Sequence, residues 1–514
     1  MRTTVWTGCC NRADMKLLID TNVLIGIEDN GPVRAQFANL VRGANRHGLS
    51  IFVHEASKED VMRDKDAERR KATLSRIRKF QPLTGVPTPA DAKLVAQYGK
   101  CSKPNDFVDA KLLHALTVNA VDFLISDDIG LHKRAKAVGI DARVFAVEDS
   151  VAWIRRMFEP RPVFLPQVDD ILAYQLDFSD PIFDGLRADY RPNFDGWCKK
   201  ISNEHRPCWV VRDGKRLAAL VIRKDETHQR AQTINPGPKI LKISTFKVAS
   251  DYRGQKLGEQ LLKQFLWYAQ LNNYDLVYLT AYPKQKTLLM LLDAYGFVQT
   301  KITADGQLFL EKPIERGPLA VGKGETALAA AMRSYPRFVA NGSVGKYVVP
   351  IRPNYHAELF PEFQQAGGST GAATGRPGNT IEKVYLCRSK TRTMRSGDVI
   401  LFYMSRHQGV RGSQCVTSVG VVKTVRSSAD LDEVKRWTAK RSVYSDEDLE
   451  AMIDEADTPL MIIDFLLIGH LSAAVTLDAL TNACVLTSWP QSIVRLDEAQ
   501  FVTLKAMMDL GFEF

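Results

Sequence analysis

Acidic residues recur through the first quarter of the chain at positions that could share a divalent cation. Asp20 closes the apolar run MKLLI and is followed by Thr21 and Asn22. Asp128 follows a second apolar run, VDFLI, through the turn Ser126-Asp127-Asp128. Asp60 reads as part of the first turn of a helix capped by Ser57, with Asp64 one turn further on the same face. Asp106 and Asp109 are three apart at the start of the amphipathic run DAKLLHAL, so both project from one face. Carboxylates gathered this way repel one another unless a cation sits among them. Oxygen donors without histidine or cysteine favour Mg²⁺ or Mn²⁺ over zinc. Glu59 competes with Asp60, because adjacent helical residues point ~100° apart and only one can serve. Asp60 is preferred, lying three residues after the cap and before apolar Val61.

A second chemistry is written in KISTFKVASDYRGQKLGEQLLKQFLWYA, residues 242–269. It reads as a strand, a basic glycine-containing turn and an amphipathic helix, with Leu257, Leu261, Leu262, Phe265 and Tyr268 at helical spacing. Backbone N–H groups exposed at such a helix start suit a pyrophosphate, and Arg253 and Lys256 add positive charge.

In the last third, basic and aromatic residues interleave: Arg388, Lys390, Arg392, Arg395, Phe402, Tyr403, Arg406 and Trp437. Such mixtures suit base stacking combined with phosphate contacts. Strand alternation favours a core position for Phe402.

These residues must be held by ordered elements. MKLLID, LSIFVH, VDFLISD and ARVFAV alternate with helical stretches, which implies a parallel sheet flanked by helices. The middle block has strands around Cys208–Val221 and at Ile240–Val248 and Asp275–Ala281, with a helix at Leu257–Leu271. The last block is mostly short strands such as DVILFYM, SVGVVKTV and DFLLIGHL, which suggests a small β-barrel. Proline- and glycine-rich zones at Phe158–Gln167 and Lys312–Lys323 separate the blocks. The Gly/Ser/Thr-rich run Ala366–Asn379 reads as a mobile loop.

At 514 residues the chain exceeds one core, and three domains are expected. Its 8 cysteines form no CxxC pair, so neither a zinc ribbon nor a disulfide framework is indicated, and a reducing cytoplasm fits. The net charge of +10 favours an anionic partner such as nucleic acid. No run approaches the ~20 apolar residues of a membrane span. The first fourteen residues lack a signal-peptide pattern, and Met15 is an alternative start.

With IDTNVLI, SKEDV, DAKLLHAL and LISDDIGLHKRA in this order, the first block resembles the PIN family of single-strand ribonucleases, common as toxins of toxin–antitoxin pairs. The resemblance implies a parallel α/β/α sandwich over residues 15–155. It implies four acids at Asp20, Asp60, Asp109 and Asp128 that hold Mg²⁺ or Mn²⁺ for in-line phosphodiester hydrolysis. The family's Ser/Thr-x-Asp pattern selects Asp128 over Asp127, and Asn22 would orient Asp20 or a metal-bound water. Lys133, Arg134 and Lys136 would hold flanking phosphates. RNA is the implied partner, with an antitoxin or a second copy alongside.

The middle block, closing on Ala294-Tyr295-Gly296-Phe297, looks like the GNAT acetyltransferases, an α+β fold over residues 168–313. The resemblance implies acetyl-coenzyme A against Phe246–Val248 and the turn Arg253, Gly254, Gln255, Lys256, Leu257 and Gly258. Lys256 replaces the middle glycine of the family pattern. Leu292 stands where a general-acid tyrosine often lies, and Tyr295 is expected to pack. The last block, residues 335–514, is similar to PUA-type barrels of the ASCH and EVE kind, which implies RNA or modified-base binding. The leading expectation is a ribonuclease with acetyl-coenzyme A and RNA modules. Acetyl transfer as the main activity, or a regulator with vestigial sites, are the alternatives.

Overall fold

The computed structural model describes residues 15–25, 32–158, 168–189, 193–364, 380–406, 413–438, 441, 444–454 and 458–514. They fall into two compact units, Met1–Arg161 with Lys435–Lys440, and Pro162–Val434 with Arg441–Phe514.

In the first unit, strands β1 (Lys16–Ile19), β2 (Ser50–His54), β3 (Gln81–Leu83), β4 (Phe123–Ile125) and β5 (Val144–Phe145) form one sheet. Every pairing is parallel and the order is β3-β2-β1-β4-β5. Both faces are covered: Leu17, Ile19 and Phe123 belong to one apolar cluster, Leu18 and Leu124 to another. That is why these strands read as continuous apolar runs rather than alternating ones. The chain winds outward from β1 to β3 on one side and from β4 to β5 on the other. The gap above β1 and β4 is therefore a topological switch point, the crevice such sheets offer to ligands.

The second unit contains two sheets. One comprises β6 (Val168–Leu172), β7 (Pro207–Asp213), β8 (Arg216–Glu226), β9 (Ile240–Val248), β10 (Leu276–Ala281), β11 (Val298–Ile302) and β12 (Leu308–Pro313). Its order is β11-β12-β10-β9-β8-β7-β6, with β9 and β10 the parallel pair. The other comprises β13 (Lys346–Ile351), β14 (Glu382–Cys387), β15 (Val399–Met404), β16 (Cys415–Ser428), β17 (Leu460–Thr476) and β18 (Val494–Leu496). Its order is β14-β17-β16-β15-β13-β18. Among the described residues the pairings run from an edge at β14 to an edge at β18, without a pairing that closes the expected small β-barrel.

The two sheets share one apolar core, which runs from Trp209 and Leu261 through Tyr335 to Val399 and Leu466. Helix Leu257–Leu271 lies inside it. Leu257, Leu261, Leu262, Phe265, Leu266 and Ala269 are buried, and so are Glu259, Gln260, Lys263 and Gln270. The sequence reads as an amphipathic helix with a wet polar face; the structure buries that face too.

The Gly/Ser/Thr-rich run at 366–379 and most of the Phe158–Gln167 zone lie outside the described residues. Among the described residues, no helix is long and apolar enough to cross a membrane.

Candidate functional site

Two places gather chemistry. At the switch point of the first sheet, Asp20 follows β1 and Ser126 follows β4. Ser126 Oγ donates to Asp20 Oδ2 at 2.7 Å and accepts from Asn22 Nδ2 at 3.2 Å and from the Asp128 N–H at 3.0 Å. The Thr21 N–H caps Asp20 Oδ1. Ser126 is thus the hub of the cluster; the Ser-x-Asp spacing was its only signal in the sequence.

Burial, opposed by the Ser126 and Thr21 hydrogen bonds and reinforced by the charges of Asp128 and Asp60, lifts the Asp20 carboxyl to about 6. Burial followed by the charges of Asp20 and Asp128 lifts Asp109 to about 7. Asp20 thus lies in the field of Asp128 and Asp60, and Asp109 in that of Asp20 and Asp128. Yet their side chains do not close on a point: among the described residues no three carboxylate, imidazole or thiol groups stand as a ready metal cage.

Asp60 is not in a first turn. Its helix, Glu55–Met62, is capped by His54, whose ring accepts the Ala56 N–H, and Ser57 is buried within the helix. The capping preference of serine loses here to the strand end at His54, which starts the helix three residues early. Asp60 then sits in the second turn, tied to Arg63 at 2.8 Å, while exposed Glu59 faces Lys111 at 3.7 Å.

Neighbouring acids are committed elsewhere. Asp106 takes the N–H groups of Ser102 and Lys103 and pairs with Arg134, so it caps its helix. Asp127 accepts the Val147 N–H at 3.0 Å, whereas Asp128 caps the helix Ile129–Ala137 through the Leu131 N–H. Arg134 departs from its expected phosphate role: it is spent on the carbonyls of Tyr98 and Lys100 and on Asp106. Lys133 and Lys136 remain exposed.

The second place lies between β9 and β10. Their parallel pairing spans Ile240–Ile243 against Leu276–Leu279 and then stops. Strand β9 continues beside β8 as far as Val248, but Ser244 is an extra residue against the Ile222–Arg223 step, a bulge. The bulge resets alternation, so Leu241 and Ile243 before it and Phe246 and Val248 after it all join the core of the helix side. Among the described residues the pairing of β9 with β10 does not extend past Ile243 and Leu279, so Thr245–Val248 run on beyond it.

Past the end of β9 the chain turns through Ser250–Tyr252 into helix Leu257–Leu271. Gly254 has φ +80° and Lys256 φ +62°. Successive N–H groups at such a turn and the helix start form an anion-binding nest. Lys256 adopts the left-handed conformation that the missing glycine would take freely. A Cβ built at Gly258 meets only Leu291 at 3.7 Å and Val248 at 3.9 Å, so space lies over the helix start. The left-handed turn and helix start suit an anion such as a pyrophosphate. Tyr295 is buried beneath, edge-on to Tyr335, and its hydroxyl has no hydrogen-bond partner. Burial raises its pKa well above the usual range.

In the β13–β18 sheet, β15 is buried on both faces, so Phe402 and Tyr403 are both core and neither can stack on a base. Arg388 bonds the Met452 carbonyl at 2.7 Å and Arg392 the Ser389 carbonyl at 3.1 Å. Lys390, Arg395 and Arg406 are exposed, and Trp437 is half-buried. Trp489 is 50% exposed, on a loop whose Ser492 Oγ lies 3.4 Å from Ser389 Oγ beside this basic stretch.

Comparison with known proteins bears on the middle segment. Residues 172–297 match the acetyltransferase (GNAT) family. No curated protein matches the sequence. Among solved structures, ASCH from Zymomonas mobilis is 14% identical, covering 32% of this chain and 96% of its own, with a TM-score of 0.24. An acetyltransferase from Thermus thermophilus is 15% identical, covering 30% of this chain and 100% of its own, TM-score 0.24. An IAA acetyltransferase from Bacillus cereus is 13% identical, covering 29% and 99%, TM-score 0.22.

Proposed function

We propose that the chain is an acetyl-coenzyme A-dependent N-acetyltransferase, its active cleft lying between β9 and β10. The observation that carries this reading is the end of the β9–β10 pairing at Ile243 and Leu279, beside a left-handed turn at a helix start. The family match over residues 172–297 supports it.

When bound, acetyl-coenzyme A supplies a thioester carbonyl open to attack by a neutral amine. Phe246–Val248 offer backbone groups to the pantetheine amides. Arg253, Lys256 and the N–H groups from Gly254 to Gly258 take the pyrophosphate, and positioning supplies much of the rate. With Tyr295 walled into the core and Leu292 carrying no titratable group, neither side chain would furnish a general acid to the leaving thiolate. Acetyl-coenzyme A should raise the melting temperature of the wild type but not of Gly258→Trp, whose side chain fills the cradle. A wild type that melts unchanged sinks this reading.

A second reading gives residues 15–155 a Mg²⁺- or Mn²⁺-dependent ribonuclease activity of the PIN kind. It assigns the metal to Asp20, Asp60, Asp109 and Asp128, with RNA presented by the basic loop and Trp489 of residues 335–514. An antitoxin-like partner or a second copy would restrain it. The favouring observation is that burial, with the charges of neighbouring acids added, raises Asp20 to about 6 and Asp109 to about 7, a cost that a divalent cation would relieve. Cleavage of single-stranded RNA with Mn²⁺, lost in Asp20→Asn and Asp109→Asn, tests it; an inert wild type ends it.

A further inference from the structure

Glu259 is the third residue of the cradle helix and immediately follows Gly258. A carboxylate there is a poor neighbour for a bound pyrophosphate, since both compete for the positive end of the same helix. In this structure the charge is answered from outside the acetyltransferase fold. The Ile381 and Glu382 N–H groups donate to Glu259 Oε1 at 3.0 and 2.9 Å. Arg441 Nη1 lies 3.1 and 3.2 Å from the two carboxylate oxygens. The same guanidinium bonds the Glu382 carbonyl at 3.1 Å and its carboxylate at 2.9 Å.

The contact repeats along the helix. Lys263, one turn on, pairs with Glu362, and Trp267, one turn further, donates to the Tyr335 hydroxyl at 2.9 Å. Tyr335 in turn donates to the Leu467 carbonyl on β17 at 2.7 Å. Three side chains at a spacing of four residues thus fasten the cradle helix to the β13–β18 sheet. Glu259 is 6% exposed, so its pairing is made away from bulk water, where electrostatic interactions are strong.

We propose that the C-terminal module is an electrostatic effector of the acyl-coenzyme A cradle: Arg441 cancels Glu259 and so permits an anionic ligand at the helix start. The proposal rests on the cofactor reading above. By reciprocity, cofactor bound at the turn tightens the grip of Glu259 on Ile381 and Glu382.

The test is calorimetric binding of acetyl-coenzyme A to the full chain as wild type, Arg441→Gln, and Glu259→Gln with Arg441→Gln. Losing Arg441 alone should weaken binding about tenfold, more at low salt, and the double substitution should restore it to within about threefold. Equal affinity of wild type and Arg441→Gln, or a double variant as weak as the single one, overturns the proposal. If Arg441→Gln misfolds, amide exchange on the wild type decides instead. There, acetyl-coenzyme A should slow exchange at Ile381 and Glu382 about tenfold. Binding without that slowing defeats the coupling alone, whereas a wild type that does not bind defeats the cofactor reading and the coupling together.

Discussion

Ser126 Oγ donates to Asp20 Oδ2 at 2.7 Å across β1 and β4, the two strands where the sheet reverses direction. That bond joins the ends of two apolar runs 106 residues apart in sequence. It fixes one carboxylate of the cluster, while Asp128 is held by the Leu131 N–H and Asp60 by Arg63.

Asp20 and Asp109, with pKa values of about 6 and about 7, keep their protons in the fold at pH values where the unfolded chain has lost them. The native state then binds more protons than the unfolded one above about pH 4. Their contribution to stability is fullest below that point and falls as pH rises toward about 7. Asp109→Asn should flatten this slope and raise the melting temperature at about pH 8 by several degrees. Thermal melts across the window decide it; an unchanged slope refutes the assignment.

Tyr295→Phe removes a buried hydroxyl that has no partner. Such a change should be neutral or stabilising by up to about 1 kcal/mol, read by denaturant unfolding. Acetyl transfer should be unaffected. A loss of turnover beyond tenfold would restore the tyrosine as a general acid.

Lys256 holds φ +62° at the helix start. Lys256→Val should cost roughly 1–2 kcal/mol, because a β-branched side chain resists that conformation, while Lys256→Gly should stay within about 1 kcal/mol of wild type. Equal stability of the two variants would mean the turn relaxes elsewhere.

Trp489→Ala tests the proposed RNA surface. If single-stranded RNA lies along Lys390, Arg395 and Trp489, removing the ring should weaken binding by about 1–3 kcal/mol in a filter-binding or anisotropy titration. Lys390→Ala should mainly lower the salt dependence. An effect of Tyr403→Phe as large as that of Trp489→Ala would contradict the burial of Tyr403.

The bounds of β9 and of the cradle helix, Ile240–Val248 and Leu257–Leu271, were legible in the residues themselves. Period and turn chemistry are local, and here nothing long-range overrode them. The parallel first sheet was legible for the same reason, since strands covered on both faces must be apolar throughout. The acid cluster was legible only as candidates: the family resemblance picked out Asp20, Asp109 and Asp128, but Asp60 falls in a later turn than its spacing predicts because His54, not Ser57, caps its helix.

What the tertiary structure alone decided concerns partners distant in sequence. No local pattern tells Asp106, a cap, from Asp109, a group in the field of other acids, or shows that Arg134 is spent on carbonyls. Nor could any pattern show that Glu259, Lys263 and Trp267 face a second sheet rather than water. Their spacing reads as a solvated stripe, and only the approach of Ile381, Glu362, Tyr335 and Arg441 turns it into a buried, paired face. Hydrophobic period records which side chains leave water; it does not record which polar ones find partners when they do.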